Sequence, residues 1–213
     1  MIVFGSTMSP YVRKVVAFAA EKGIEIELRQ QGLGATDPEF LAASPFRKMP
    51  ALKDGDFTLA DSSAICAYLE AVKPEPALIP AEPRARGRTM WWDEFADTML
   101  FDCGRKMFFN RVVAPRFLGQ KGDAEVADRA EREELPSLLD YLEGAVPTEG
   151  FLVGDGVTLA DLAVASPFVN FDHMSVALGD RPRLTAYLGR ILERPSFAAV
   201  VAKEKAFFAR TAA

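Results

Sequence analysis

The chain has 213 residues, 49% hydrophobic and 26% charged, a soluble globular composition with length for one large domain or two small ones. Lys and Arg number 25 against 30 Asp and Glu, and the net charge of −5 argues against general affinity for nucleic acid or anionic lipid. Cys66 and Cys103 form neither a CxxC motif nor a zinc cluster, and the single His173 argues against a zinc site or a His-based triad, so no metal is expected. The N-terminus lacks a basic segment followed by an apolar signal run, and no stretch is apolar for long enough to span a bilayer. The expected setting is the cytoplasm, without membrane or nucleic-acid partners.

In chain order, Ile2, Val3 and Phe4 predict a buried strand. Val12, Val15, Val16 and Ala19 then fall on one face of a helix that Gly23 is placed to end. Ile24, Ile26 and Leu28 alternate with Glu25, Glu27 and Arg29, the pattern of a half-buried strand. After a short helical signal from Asp37 to Ala43, Ala51-Leu52-Lys53 and Phe57-Thr58-Leu59 flank Asp54-Gly55-Asp56 as a β-hairpin. Ala64, Ile65, Tyr68, Leu69 and Val72 form a helical stripe, completing a β-α-β-α-β-β-α layer.

Pro74, Pro76, Pro80 and Pro83 remove backbone donors over ten residues and mark a domain boundary. Beyond it the pattern is helical at roughly 84–111, 123–143, 158–172, 183–193 and 197–209. Thr158 and Asp161 predict a capping box, with Val157 packing on Leu162 as a hydrophobic staple. Pro136 predicts a kink or break.

Three short segments are open to two readings each. Ser9 precedes Pro10 at a helix start, where a hydroxyl caps the helix or stabilises an anion such as a ligand thiolate. Met49-Pro50 is either a trans proline at a strand start or a cis bond that turns the Met49 backbone toward an extended peptide. Asp61-Ser62-Ser63 either caps the next helix or holds the ammonium and carboxylate of an amino acid.

In combination, "SPYVRKV", "RKMPAL", "ADSSAI", the proline-rich linker, "VTLADLAVA" and "RPSFAAV" resemble the cytosolic glutathione transferases over nearly the whole chain, as a serine-type, bacterial-like member. The resemblance implies an α/β plus all-α fold: a thioredoxin-like N-terminal domain at 1–75 that binds glutathione, and an all-helical C-terminal domain at 84–213 that forms the electrophile pocket. It implies that Ser9 stabilises the glutathione thiolate, Met49 pairs with the cysteinyl backbone before a cis Pro50, and Asp61 and Ser62 hold the γ-glutamyl end. Lys48 supplies charge near the glutathione carboxylate on one reading and is solvated on the other.

Glutathione is therefore expected as co-substrate, with a small hydrophobic electrophile and a homodimeric partner. Ser9, at the position where thiol transferases carry Cys, favours conjugation, thiolytic displacement or isomerisation over disulfide exchange. Tyr11 reads as a pocket wall, and Arg105, Phe108 and Phe109 as candidate contacts to an apolar substrate. Trp91, Trp92, Phe95 and Phe101 belong to core or dimer interface, and Asp93, Glu94 and Asp97 read as a solvated acidic face or a contact across a dimer. Cys66, Cys103 and His173 read as structural. The alternative function is a non-catalytic protein that holds glutathione or a hydrophobic ligand on the same fold.

Overall fold

A computed structural model describes residues 1–211; Ala212 and Ala213, the last two of the expected second domain, lie outside them. Strand β1 (Ile2–Phe4) pairs parallel with β2 (Glu27–Arg29) and antiparallel with β3 (Ala51–Asp54), which pairs antiparallel with β4 (Phe57–Ala60). The sheet order is β2-β1-β3-β4, and helix α1 (Pro10–Glu21) makes the crossover between the parallel pair. Asp54 faces Phe57, so Gly55 and Asp56 form the hairpin loop, with Gly55 at φ 61°. Helices α2 (Pro38–Ala43) and α3 (Ser62–Val72) complete the predicted layer.

Two elements differ from the sequence reading. The second strand covers only Glu27–Arg29, because Gly23 at φ 60° ends α1 and the Ile24 amide bonds back to the Ala19 carbonyl at 2.8 Å. Ile24 and Ile26 still pack on the core, from the connecting segment. Helix α1 has more than the single buried face expected: Val12, Arg13, Lys14, Val15, Ala17, Phe18 and Ala19 are all buried, because the helix lies between α3 on one side and the second domain on the other.

The second domain opens with α4 (Pro83–Glu94), continued by a π-helical segment (Phe95–Leu100), α5 (Phe101–Phe108), a second π-helical segment (Phe109–Val113) and α6 (Ala114–Phe117). After α7 (Ala124–Arg129), a third π-helical segment (Ala130–Glu134) leads into α8 (Leu135–Ala145). The second and third π segments each end two residues before a proline, Pro115 and Pro136. Proline lacks an amide and crowds the carbonyl four residues earlier, and a wider turn placed there lets the helical run continue. The break expected at Pro136 takes this form.

Helix α9 (Leu159–His173) is buried from Leu159 to Phe171, Pro167 included, and α10 (Pro182–Leu192) and α11 (Pro195–Thr211) close around it. Its capping box is present: the Thr158 amide donates to Asp161 at 2.9 Å. Asp161 also accepts from the Leu152 amide and the Tyr187 hydroxyl, tying α9 to the preceding loop and to α10.

The linker is packed against both domains. Buried Lys22 donates to Glu70 and to the Pro76 carbonyl, each at 2.7 Å, and the Leu159 amide donates to the Leu78 carbonyl at 2.9 Å. Val3, Val15, Phe18 and Leu69 of the first domain share one apolar core with Leu78, Leu159, Leu162 and Phe171. No helix among the described residues is long and apolar enough to cross a membrane.

Candidate active site

Register brings the three ambiguous segments together. Phe4 faces Ala51, and Ala51 faces Ala60, so Gly5, Pro50 and Asp61 follow from the same end of the sheet. Gly5 permits the close packing: a Cβ there would stand 2.5 Å from a Val12 methyl and 3.4 Å from Met49 Cβ, and its φ of 152° disfavours any larger residue. The Met49-Pro50 peptide is cis.

The three hydroxyls after β1 have different uses. The Ser6 carbonyl accepts from the Ser9 amide at 2.9 Å, and Ser6 Oγ accepts from the Met8 amide at 3.4 Å, so Ser6 closes the turn. Thr7 donates to Glu204. Ser9 occupies the N-cap position of α1 with extended backbone, yet its side chain makes no capping bond. The capping reading therefore fails for Ser9, and its half-buried hydroxyl stands beside the positive end of α1.

At α3 the capping reading holds for Asp61. With φ of 84°, unusual for a non-glycine residue, it places Oδ1 at 3.0 Å from the amides of Ser63 and Ala64. Its second oxygen is outside both bonds, and the Ser62 amide is the one first-turn donor that Asp61 does not take. Ser62 is buried, with its hydroxyl 3.3 Å from Asp97. Lys48 is exposed on a turn held by Ser44, whose hydroxyl accepts from the Lys48 amide and donates to its carbonyl.

Beneath this end of α3 lies an ion cluster that the sequence reading missed. Lys14 reaches Asp93 at 2.7 Å, Asp97 at 2.6 Å and Ser63 Oγ at 3.2 Å. Burial opposes the Lys14 charge, but the two carboxylates outweigh it and hold the ammonium above its ordinary pKa. Asp93 and Asp97 are thus no solvated acidic face: Asp93 is fully buried, and both pair within the chain. Glu94 alone of the three is exposed.

The Tyr11 hydroxyl donates to the Asp97 carbonyl at 2.7 Å, and its ring lies 4.3 Å from that of Phe101. Burial pushes the Tyr11 phenol well above its ordinary pKa, with the charge of Asp97 adding to it. Arg105 is exposed and pairs with Asp102, Phe109 is 38% exposed, and Phe108 is buried. Trp92 and Phe95 are core residues packed on Tyr141 of α8.

Both thiols are buried, and burial raises them, Cys66 strongly and Cys103 to about 12. Neither is suited to act as a nucleophile at neutral pH. His173 has the partner its local sequence does not imply: Nε2 lies 2.9 Å from Glu204 Oε2.

The architecture is thus a four-stranded mixed sheet layer joined to a helical domain, with Ser9, Met49-Pro50 and Asp61-Ser62 gathered at one sheet end. Residues 3–77 match the glutathione S-transferase N-terminal domain family, and residues 102–195 match the glutathione S-transferase C-terminal domain family. The chain is 34% identical to human glutathione S-transferase theta-2, covering 89% of this chain and 79% of that protein. It is 29% identical to a glutathione S-transferase of Hyoscyamus muticus, covering 94% and 97%. A crystal structure of human theta-2 in complex with glutathione and an unknown ligand superposes with a TM-score of 0.86 at 29% identity, over 99% of this chain and 90% of that one. Glutathione transferase F7 from Populus trichocarpa superposes with a TM-score of 0.81 at 28% identity, over 94% and 97%. The chain belongs to the glutathione S-transferase family. It is an enzyme, a glutathione transferase, and the binding-only alternative gives way to that.

Proposed function

We propose that this glutathione transferase is serine-type: Ser9 donates a hydrogen bond to the glutathione sulfur and holds it as thiolate for attack on a small hydrophobic electrophile. The observation that carries the reading is that Ser9 sits at an N-cap without capping, where the register gathers Met49-Pro50 and Asp61-Ser62. A thiol with a pKa of about 8.5 is mostly protonated at neutral pH, so each unit by which the site lowers it raises the thiolate fraction several-fold. The Ser9 hydrogen bond and the α1 dipole are sources of that shift, each of about 0.3–3 kcal/mol.

Glutathione would lie across the sheet end. Met49 pairs with its cysteinyl backbone, the free Asp61 oxygen takes its ammonium, the Ser62 amide takes the γ-glutamyl carboxylate, and Lys48 adds charge near the other carboxylate. Residues 1–75 thus hold the thiol and residues 84–213 supply the electrophile pocket, with Tyr11 as wall and Arg105, Phe108 and Phe109 on the far side. Arg105 and Phe109 are exposed enough to meet a ligand without rearrangement, whereas Phe108 is buried. The reactions that fit are conjugation, thiolytic displacement and isomerisation, in a cytoplasmic, detoxifying role. A homodimer is supported by exposed apolar side chains: Phe46 is 86% exposed, Met99 50% and Trp91 47%.

The test is the initial rate of glutathione conjugation to an aromatic chloronitro acceptor, wild type against Ser9→Ala, with calorimetric binding of glutathione. Retained binding with most of the rate lost supports the thiolate role. A Ser9→Ala enzyme that keeps its rate sinks it.

A further inference from the structure

The two residues flanking Ser9 are gripped from the other domain. Asn170 Nδ2 donates to the Met8 carbonyl at 3.0 Å, and Ser166 Oγ donates to the Pro10 carbonyl at 2.7 Å. Ser166 and Asn170 lie four residues apart, one turn of α9, and therefore present their side chains on the same side of that helix. Both are buried. Neither bond belongs to a helix cap or a sheet ladder; each satisfies a main-chain carbonyl of the segment that carries the hydroxyl.

The grip is itself backed by a buried cation. Arg13 Nη1 donates to Asn170 Oδ1 at 3.0 Å and to the Ser166 carbonyl at 2.6 Å, while its other nitrogens pair with Glu204 on α11. Occupation of Oδ1 by Arg13 fixes which way the Asn170 amide faces, so that Nδ2 meets the Met8 carbonyl. Glu204 also receives Thr7 from the same turn and touches His173. Every residue from Thr7 to Pro10 except Ser9 thus has a bond to the second domain.

We propose that Asn170 and Ser166 are positioning residues for catalysis: by holding the carbonyls on either side of Ser9 they aim its hydroxyl at the thiol sulfur. A hydrogen bond to a thiolate depends steeply on angle and distance, and among the described residues the Ser9 side chain makes no capping bond that would set its backbone. The second domain therefore contributes to the acidity of the thiol as well as to the electrophile pocket. This rests on the thiolate-stabilising reading of Ser9.

The test measures the pKa of enzyme-bound glutathione from thiolate ultraviolet absorbance, with glutathione affinity by calorimetry and kcat against pH. The variants are Asn170→Asp, Ser166→Ala, Ser9→Ala and the double variants with Ser9→Ala. Asn170→Asp keeps an acceptor for Arg13, removes the donor to Met8 and adds a negative charge; Ser166→Ala removes the bond to Pro10 and a 3.5 Å contact from Arg13 but keeps the carbonyl that Arg13 meets at 2.6 Å. Each should raise the bound-thiol pKa by about half to one unit, lowering kcat about three- to tenfold at pH well below that pKa and less at neutral pH, with recovery as pH rises. Glutathione affinity should stay within about threefold. In the Ser9→Ala background Ser166→Ala should not raise the pKa further, because a residue that acts through Ser9 is silent without it, whereas any residual rise with Asn170→Asp reports the charge it adds.

An unmoved thiol pKa in Ser166→Ala would overturn the proposal, whatever happens to glutathione affinity or thermal stability, as would an equal pKa rise from Ser166→Ala in the Ser9→Ala background. Should Asn170→Asp fail to fold, Ser166→Ala decides alone. If single Ser9→Ala leaves the thiol pKa unchanged, the Ser9 reading fails, and the proposal with it.

Discussion

Arg13 of the first domain and Glu204 of the last helix meet at 2.8 Å with both side chains sealed from solvent. The pair joins α1 to α11 across the domain boundary, and Thr7, Ser166, Asn170 and His173 complete its bonds. Breaking a buried pair from one side leaves an uncompensated charge, which typically costs about 3–5 kcal/mol. Arg13→Met should therefore lower the unfolding free energy from urea titration by that amount at pH 7, and Arg13→Met combined with Glu204→Leu should recover part of the loss.

The same carboxylate predicts a pH dependence. Burial opposes ionisation of Glu204, but His173, Arg13 and Thr7 outweigh it, and the carboxyl is held below its ordinary value of 4.5. The folded pKa is depressed, so the stabilisation is present above the ordinary value and is lost as pH falls through the depressed one. Unfolding free energies for wild type and Glu204→Gln should differ clearly at pH 7 and converge in the acid range. A gap independent of pH would refute the assignment.

Lys14 is the counterion of two carboxylates that would otherwise repel each other under α3. Lys14→Met should destabilise by about 3–5 kcal/mol, and it should weaken glutathione binding because Ser63 and Asp97 border Ser62. Thermal denaturation and calorimetry on the same variant check both effects; an unchanged melting midpoint would contradict the buried pairing.

Gly5 is required by close approach. Gly5→Ala forces a methyl group into Val12 at a backbone angle that side chains resist, a cost of about 1–3 kcal/mol or more. Since Gly5 begins the turn to Ser9, conjugation rate should fall more than glutathione affinity. Equal rates in the two proteins would show that the turn absorbs the methyl group.

The thiols are predicted to be inert. Cys103→Ala should cost about 1–2 kcal/mol for the cavity it opens while glutathione conjugation is retained. Alkylation of the folded protein by iodoacetamide should be slow at pH 7 for both thiols and become rapid in denaturant.

Much of the fold was legible because its signals are local. The hairpin at Gly55-Asp56, the stop at Gly23 and the capping box at Thr158 each arise from neighbouring residues, and all appear in the structure. At the site, "SPYVRKV", "RKMPAL" and "ADSSAI" pointed to Ser9, Met49-Pro50 and Asp61-Ser62, and register brings these segments to one sheet end. Arg13 and Lys14 were passed over although they sit in the first of those motifs. A signal was available: adjacent charges lie between Val12 and Val15, in a helix with little polar surface for them to share.

What the sequence by itself determined is therefore the order of the sheet-layer elements, the stop at Gly23, the hairpin turn and the capping box, together with the residue types proposed for the site. Only the tertiary structure decided how the hydroxyls of Ser6, Thr7 and Ser9 divide their work, that Asp93 is buried, and that His173 and Arg13 share Glu204. The physical reason is range. Caps, turns and periodicity act within about four residues along the chain, whereas Arg13 and Glu204 stand 191 residues apart and Asn170 and Met8 162. Which polar groups meet at such separations depends on the faces that apolar packing brings together, and that packing puts α1 between α3 and α9.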